Sequence, residues 1–189
     1  MRPLRRGALR GPLLLLLLVA VFGLSRCGQD GGGSNGGGGG GSAESRGPAR
    51  AAVTHVVDGD TVDVEMADGS DETVRYIGID TPETVKPGTP VQCGGPRAHD
   101  VNERLVGGRT VILRFDAERR DVYGRLLAYA YLPGARPGGR PLFVNAALVR
   151  HGLARTLTIP PNDSFAPLFA RLAARAGALG RGLWGSCGV

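Results

Sequence analysis

From residue 52 onward, short runs alternate apolar with polar side chains, and the period of alternation changes at recognisable breaks. Ala52–Val57 is apolar and β-branched. In Thr61–Met66, Val62, Val64 and Met66 oppose Asp63 and Glu65. After the turn Ala67-Asp68-Gly69-Ser70, Thr73–Ile79 resumes strand character. Pro96–Val106 changes to a helical period, with Ala98, Val101 and Leu105 on one face and Gly107-Gly108 ending it. Arg109–Phe115 alternates again, aligning Val111, Leu113 and Phe115, and Leu126–Leu132 is a further strand before the loop Pro133–Pro141. Asn145–His151 reads as a short helix closed by Gly152. Ala166–Leu179 reads as an amphipathic one with Leu168, Leu172, Ala176 and Leu179 in line, and Trp184 is expected to fold back onto the domain. Three strands, a helix, two strands and trailing helices predict an α+β, mainly β domain: a five-stranded Greek-key barrel of the OB type with about three helices. Fold alone assigns no chemistry.

The same pattern delimits what lies outside the barrel. Arg2 to Arg10 followed by the apolar run Pro12–Leu24 has the basic and hydrophobic regions of a signal peptide over residues 1–27. The run is shorter than the roughly 20 residues of a comfortable bilayer span, so export is expected rather than a permanent membrane helix. Gly23-Leu24-Ser25 offers an ordinary cleavage site. Leu24-Ser25-Arg26-Cys27 instead resembles a bacterial lipobox, with Arg26 where that motif takes a small residue, so Cys27 is a candidate for lipidation. Residues 28–50, rich in Gly and Ser, read as a flexible linker, and the folded domain is expected over 51–189. The expected location is outside the cytoplasmic membrane, secreted or held by an N-terminal lipid, as a monomer.

Charge and cysteine content change this picture in two places. Formal net charge is +6. Yet five of the 23 basic residues lie in the first 27 positions, which carry no acid; the rest of the chain sets 18 basic groups against 17 acidic ones. Bulk charge is therefore no evidence of polyanion binding, which must come from a local site. With Cys27 processed, Cys93 and Cys187 remain as a pair in an oxidising compartment. A bridge between them adds roughly 4–5 kcal/mol by loop entropy, and the alternative is two separate thiols. No CxxC or Cys/His spacing suggests zinc, and His55, His99 and His151 have no ligand spacing.

Ionisable residues concentrate where strands end: Asp58-Gly59-Asp60-Thr61, Arg75, Asp80-Thr81-Pro82-Glu83 and Tyr123-Gly124-Arg125. Each alone is ordinary turn or capping chemistry. Together they supply the groups that attack on a phosphodiester requires. Guanidinium groups donate paired hydrogen bonds to the equatorial oxygens, hard oxygen donors suit a divalent cation, and a remaining carboxylate takes a proton from water. Asp60, Asp80 and Glu83 against Arg75 and Arg125 leave a net charge of −1, which a divalent cation turns to +1, so the metal is expected to support substrate binding as well as turnover. Arg119 and Arg120 are candidates for extra backbone contacts.

These segments, with Val74-Arg75-Tyr76-Ile77-Gly78-Ile79-Asp80 and Val144-Asn145-Ala146-Ala147-Leu148-Val149-Arg150, resemble the successive signatures of the staphylococcal nuclease (thermonuclease) family over residues 52–185. The resemblance implies an endonuclease that hydrolyses DNA and RNA with Ca²⁺ and leaves 3′-phosphates. It implies that Asp60, Asp80 and the Thr81 carbonyl bind the metal, that Arg75 and Arg125 clamp the phosphate, and that Glu83 orients or deprotonates water. Tyr123 then corresponds to a tyrosine near the bound nucleotide. Two positions depart from that family: Val122 stands where a lysine is expected, and a second tyrosine is replaced near Thr158. The alternative reading is a non-catalytic nucleic-acid-binding OB module on a surface lipoprotein, which would be expected to have lost part of this set.

Overall fold

The structure, a computed structural model, describes residues 47–84 and 88–188. The proposed signal peptide, Cys27 and nearly all of the linker lie outside the described residues. Among the described residues no helix is long and apolar enough to cross a membrane.

Strands β1 (Ala49–Val56), β2 (Thr61–Met66), β3 (Asp71–Tyr76), β5 (Thr110–Arg114) and β6 (Leu126–Leu132) form the barrel, while β4 (Ile79–Asp80) stands outside it. Their order is β3-β2-β1-β5-β6, and the parallel pairing of β3 with β6, Arg75 opposite Leu127, closes the sheet on itself. Closure removes the exposed edges that an open sheet would present. The result is the closed five-stranded mixed barrel of OB type that the alternation predicts. β1 begins at Ala49, inside the segment read as linker, because Ala49–Ala52 pairs with Thr110–Leu113 of β5.

Inward-facing Val53, Val62, Val64, Val74, Val111, Leu113 and Leu126 are buried and fill the barrel. Helix α1 (Gly95–Val106) contributes Ala98 and Val106, and α2 (Val144–Arg150) contributes Val144 and Leu148. Two-residue β7 (Leu142–Phe143) pairs antiparallel with the end of β6, and β8 (Arg155–Thr156) pairs with β4. Helix α3 (Ala166–Ala178) and the single turn α4 (Leu183–Ser186) complete the domain, with Trp184 packed over Gly177.

Two further expectations change. The third strand does not run through to Ile79. It breaks at Ile77-Gly78, where Gly78 takes φ 80° and a Cβ would collide with the Phe169 ring, so chain direction and packing both require glycine. The buried face of α3 is set by Phe169 and Ala176, with Leu168 and Leu172 partly buried, whereas Leu179 caps the helix and is 54% exposed. Phe169 governs because it joins Tyr129, Phe143 and Phe165 in an aromatic cluster with centroids 4.7–6.4 Å apart. Cys93 and Cys187 form a disulfide, with Cα atoms 5.8 Å apart.

Candidate active site

The β1–β2 turn, the exit of β3 and the approach to β6 meet at one rim of the barrel. Asp60 immediately precedes β2, and Asn102 of α1 fixes the turn by donating from Nδ2 to the Asp58 carbonyl at 3.1 Å. Asp58 Oδ1 in turn accepts the Asp60 N–H at 2.9 Å. Gly59 permits the close fit here: a Cβ would lie 2.8 Å from both Ala98 and Thr81. Thr61, the first residue of β2, pairs in register with Arg75 of β3, which puts Asp60 and Arg75 side by side.

Arg75 is the hub. Its Nε lies 3.2 Å from Asp60 Oδ1, and its Nη2 donates to Asp80 Oδ1 at 3.0 Å. Nη1 donates to the carbonyls of Tyr76 and Ile79 at 2.9 and 2.8 Å. One guanidinium therefore gathers both candidate metal ligands and braces the Ile77-Gly78 break that delivers Asp80. It also leaves Arg75 largely engaged with protein oxygens rather than free for a two-pronged phosphate contact.

Asp60 is 3% exposed. Its Oδ2 accepts the N–H and the hydroxyl of Thr81 at 2.6 and 3.0 Å. Burial pushes its carboxyl up to about 7, against the opposing pull of the Arg75 charge and the Thr81 hydrogen bonds. Asp80, by contrast, has a side chain 55% exposed. Two carboxylates, one buried and one accessible, are hard oxygen donors of the kind a divalent cation takes, and Arg75 bridges them in this structure. Asp60 and Asp80 would hold such a cation. Among the described residues no group of three His, Cys, Asp or Glu side chains converges, so water and substrate oxygens would complete the shell.

Glu83 follows on the loop after β4. Its Oε1 accepts the Thr84 N–H at 3.0 Å, and Gln92 holds its backbone on both sides: Gln92 N–H donates to the Glu83 carbonyl at 2.9 Å and Gln92 Oε1 accepts the Glu83 N–H at 3.1 Å.

Across the rim, Arg125 is held by a residue the sequence reading did not single out. Nε and Nη2 of Arg125 converge on Asp121 Oδ2 at 2.8 and 2.7 Å, while Asp121 Oδ1 accepts the N–H groups of Tyr123 and Arg125 at 3.0 Å each. Asp121 thus closes the loop and orients the guanidinium together. Its position two residues before Tyr123 and three before Gly124 is an Asx-turn signature that could have been read. Asp121 also adds a negative charge that the five-group sum omits. Arg125 lies 5.5 Å from the Tyr123 ring centroid, and that ring is 81% exposed.

Arg75, Arg125 and Tyr123 border one cavity of about 350 Å³. Val122, Leu157 and Ile159 give it an apolar lip, with Val122 93% exposed. From the segment near Thr158 it is thus Leu157 and Ile159, not Thr158, that face the cavity. Arg119 and Arg120 are engaged within the protein. Arg119 stacks over Phe115 at 3.8 Å, and Arg120 pairs with Glu72 at 2.7 and 2.9 Å. The histidines stand apart from the site, His99 facing the Val56 carbonyl at 3.2 Å.

Fold and rim together define an OB-type barrel with a charged cleft in which carboxylates and arginines interlock. The chain belongs to the staphylococcal nuclease homologue family, which matches residues 73–186. It is 46% identical over 113 residues to the thermonuclease of Staphylococcus intermedius, covering 60% of this chain and 62% of that protein. It is 39% identical over 132 residues to the thermonuclease of Staphylococcus hyicus, covering 70% and 73%. Endonuclease YncB of Bacillus subtilis is 42% identical over 115 residues, with 60% of this chain and 51% of that protein covered. The chain therefore spans less than two thirds of the first and about half of the last.

Proposed function

We propose that this domain is a Ca²⁺-dependent endonuclease that hydrolyses phosphodiester bonds of DNA and RNA to leave 3′-phosphate ends, acting outside the cytoplasmic membrane. The observation that carries the reading is the convergence of Arg75 on Asp60 and Asp80, with Arg125 on the same cavity as Arg75. Relatives named thermonuclease and endonuclease support it.

In this reading the scissile phosphate sits at the cavity mouth and takes hydrogen bonds from the face of Arg125 turned away from Asp121, and from Arg75. The negative charge gathered on the equatorial oxygens in the transition state is met by guanidinium groups already oriented by the protein, so no reorganisation is needed when it develops. Calcium, bound by Asp60, Asp80 and the Thr81 carbonyl, would supply further positive charge at the phosphate. Glu83 accepts a proton from water as the water oxygen bonds to phosphorus, the P–O5′ bond breaks, and the departing 5′-oxygen takes a proton from solvent water. Tyr123 and the apolar lip receive the adjoining nucleoside. The N-terminal leader supports export; the mass of the mature N-terminus distinguishes a lipidated Cys27 from a free end after Ser25.

The test is incubation of the purified protein with plasmid DNA and with RNA, in Ca²⁺ and in chelator. Cleavage of both in Ca²⁺ alone, with phosphatase-sensitive 3′ ends, is expected. Nucleic-acid binding with no cleavage in Ca²⁺ identifies the non-catalytic module instead.

A further inference from the structure

The loop bearing Glu83 rests on a segment that has its own covalent anchor. Gln92 engages both backbone polar groups of Glu83, as a reciprocal pair of 2.9 and 3.1 Å. The next residue, Cys93, is bridged to Cys187, 94 positions away at the end of α4. Gly94 then lies against Leu183, and Gly95 forms the bed of the loop: a Cβ there would stand 2.9 Å from the Pro82 carbonyl and 3.0 Å from the Glu83 carbonyl. On another side a cavity of about 280 Å³ adjoins the loop, bounded by Asp80, Pro82, Gln92, Arg155, Leu183 and the disulfide.

We infer that the Cys93–Cys187 disulfide is a positioning device for Glu83, acting through Gln92. The inference rests on the reading of Glu83 as the group that takes the proton from water. With the bridge intact, the Gln92 pair sits on a covalently fixed base and the Glu83 backbone has one place to be. With it opened, the loop can move into the adjacent cavity, and the carboxylate leaves its place while Arg125 and Tyr123, across the rim, keep theirs. Because Cys93 is exposed, added thiols reach the bridge. Activity is then linked to the redox state of the surroundings. Dithiothreitol supplies two electrons and two protons to the sulfur pair, leaving two thiols and becoming its own cyclic disulfide.

The experiment compares kcat and KM on single-stranded DNA in Ca²⁺ for the oxidised protein, the dithiothreitol-reduced protein and the C93S/C187S variant, each also in a Glu83→Gln background. Since misplacement of a reacting group by about 1 Å lowers rate by up to about 10²-fold, opening the bridge is expected to lower kcat at least about tenfold. KM should stay within about twofold, and the loss should shrink below about twofold in the Glu83→Gln background. Gln92→Ala should reproduce the kcat loss with the bridge intact. An unchanged kcat on reduction, or an equal loss in both backgrounds, overturns the inference. Amide exchange of Glu83 and Gln92 reads the same device without catalysis. Their exchange should speed up on reduction while the amides of β6 stay protected, and unchanged rates at Glu83 overturn the inference whatever the activity. A complete lack of hydrolysis by the oxidised protein counts against the nuclease reading, and the exchange result then decides on the clamp.

Discussion

Asn145 ties three elements together from a position with no exposure to solvent. Its Oδ1 accepts the Ala130 N–H of β6 at 2.9 Å, and its Nδ2 donates to the Ile77 carbonyl, just before the Gly78 break, at 2.9 Å. Asn145→Ala removes both partners at once and leaves two buried backbone groups unsatisfied. Each such group costs about 1–3 kcal/mol, so the expected loss is about 2–6 kcal/mol, centred near 4. Against a total stability of about 5–15 kcal/mol, that is a large share. For a domain of this size the midpoint of thermal unfolding should fall by roughly 10–16 °C. Urea unfolding followed through Trp184, the only tryptophan, measures it directly. Val122→Ala, on a side chain 93% exposed, serves as the control and should change stability by less than about 0.5 kcal/mol. A loss below about 1 kcal/mol for Asn145→Ala, with an unchanged urea dependence, would refute the reasoning, since it would mean that the two backbone groups find other partners.

Asp121→Asn leaves a loop acceptor at Asp121 but takes away the charge on which two Arg125 nitrogens converge; it should lower kcat/KM by about tenfold or more with little change in stability, and unchanged kinetics would show that Arg125 orients itself. Asp60 predicts the pH response of the metal-free protein. Its carboxyl is raised in the folded state from the ordinary 3.8 to about 7. Its stabilising contribution is therefore fully present below about pH 4 and is lost as pH rises through 7. In chelator, calorimetry should show Asp60→Asn flattening a decline in stability between pH 5 and 8. Calcium should raise the melting temperature more at pH 8 than at pH 5, and equal calcium effects at the two values would contradict the assignment of Asp60 as a ligand.

Much of the barrel was legible because its strands obey a two-residue period. Val62 and Val64, Val111 and Leu113 fall on the buried face as their alternation requires. What was not legible depends on contacts between distant segments. The break at Gly78 packs against Phe169, 91 residues on, and strands of two residues such as β4 and β8 are too short for any period to show. The buried face of α3 follows the aromatic cluster around Tyr129 rather than the leucine stripe. At the site, the residue types needed for phosphoryl chemistry could be read from the strand ends, since Asp60 and Asp80 sit at the turns that bound β2 and β4 and Arg75 lies one residue from the end of β3. Their interlocking could not. That Arg75 is occupied by both carboxylates, that Asp121 holds Arg125, and that Gln92 holds Glu83 are properties of closure, visible once the rim is assembled.

The most direct measurement is single-turnover cleavage of a defined oligonucleotide in Ca²⁺ by the wild type and by Arg125→Ala, with folding checked by circular dichroism. A guanidinium aimed at charge that develops in the transition state predicts a fall in the cleavage rate of about 10²–10³-fold, equivalent to about 2.7–4 kcal/mol. A folded variant cleaving within about threefold of the wild-type rate would contradict the account, for Arg125 would then have no part in meeting the charge at phosphorus.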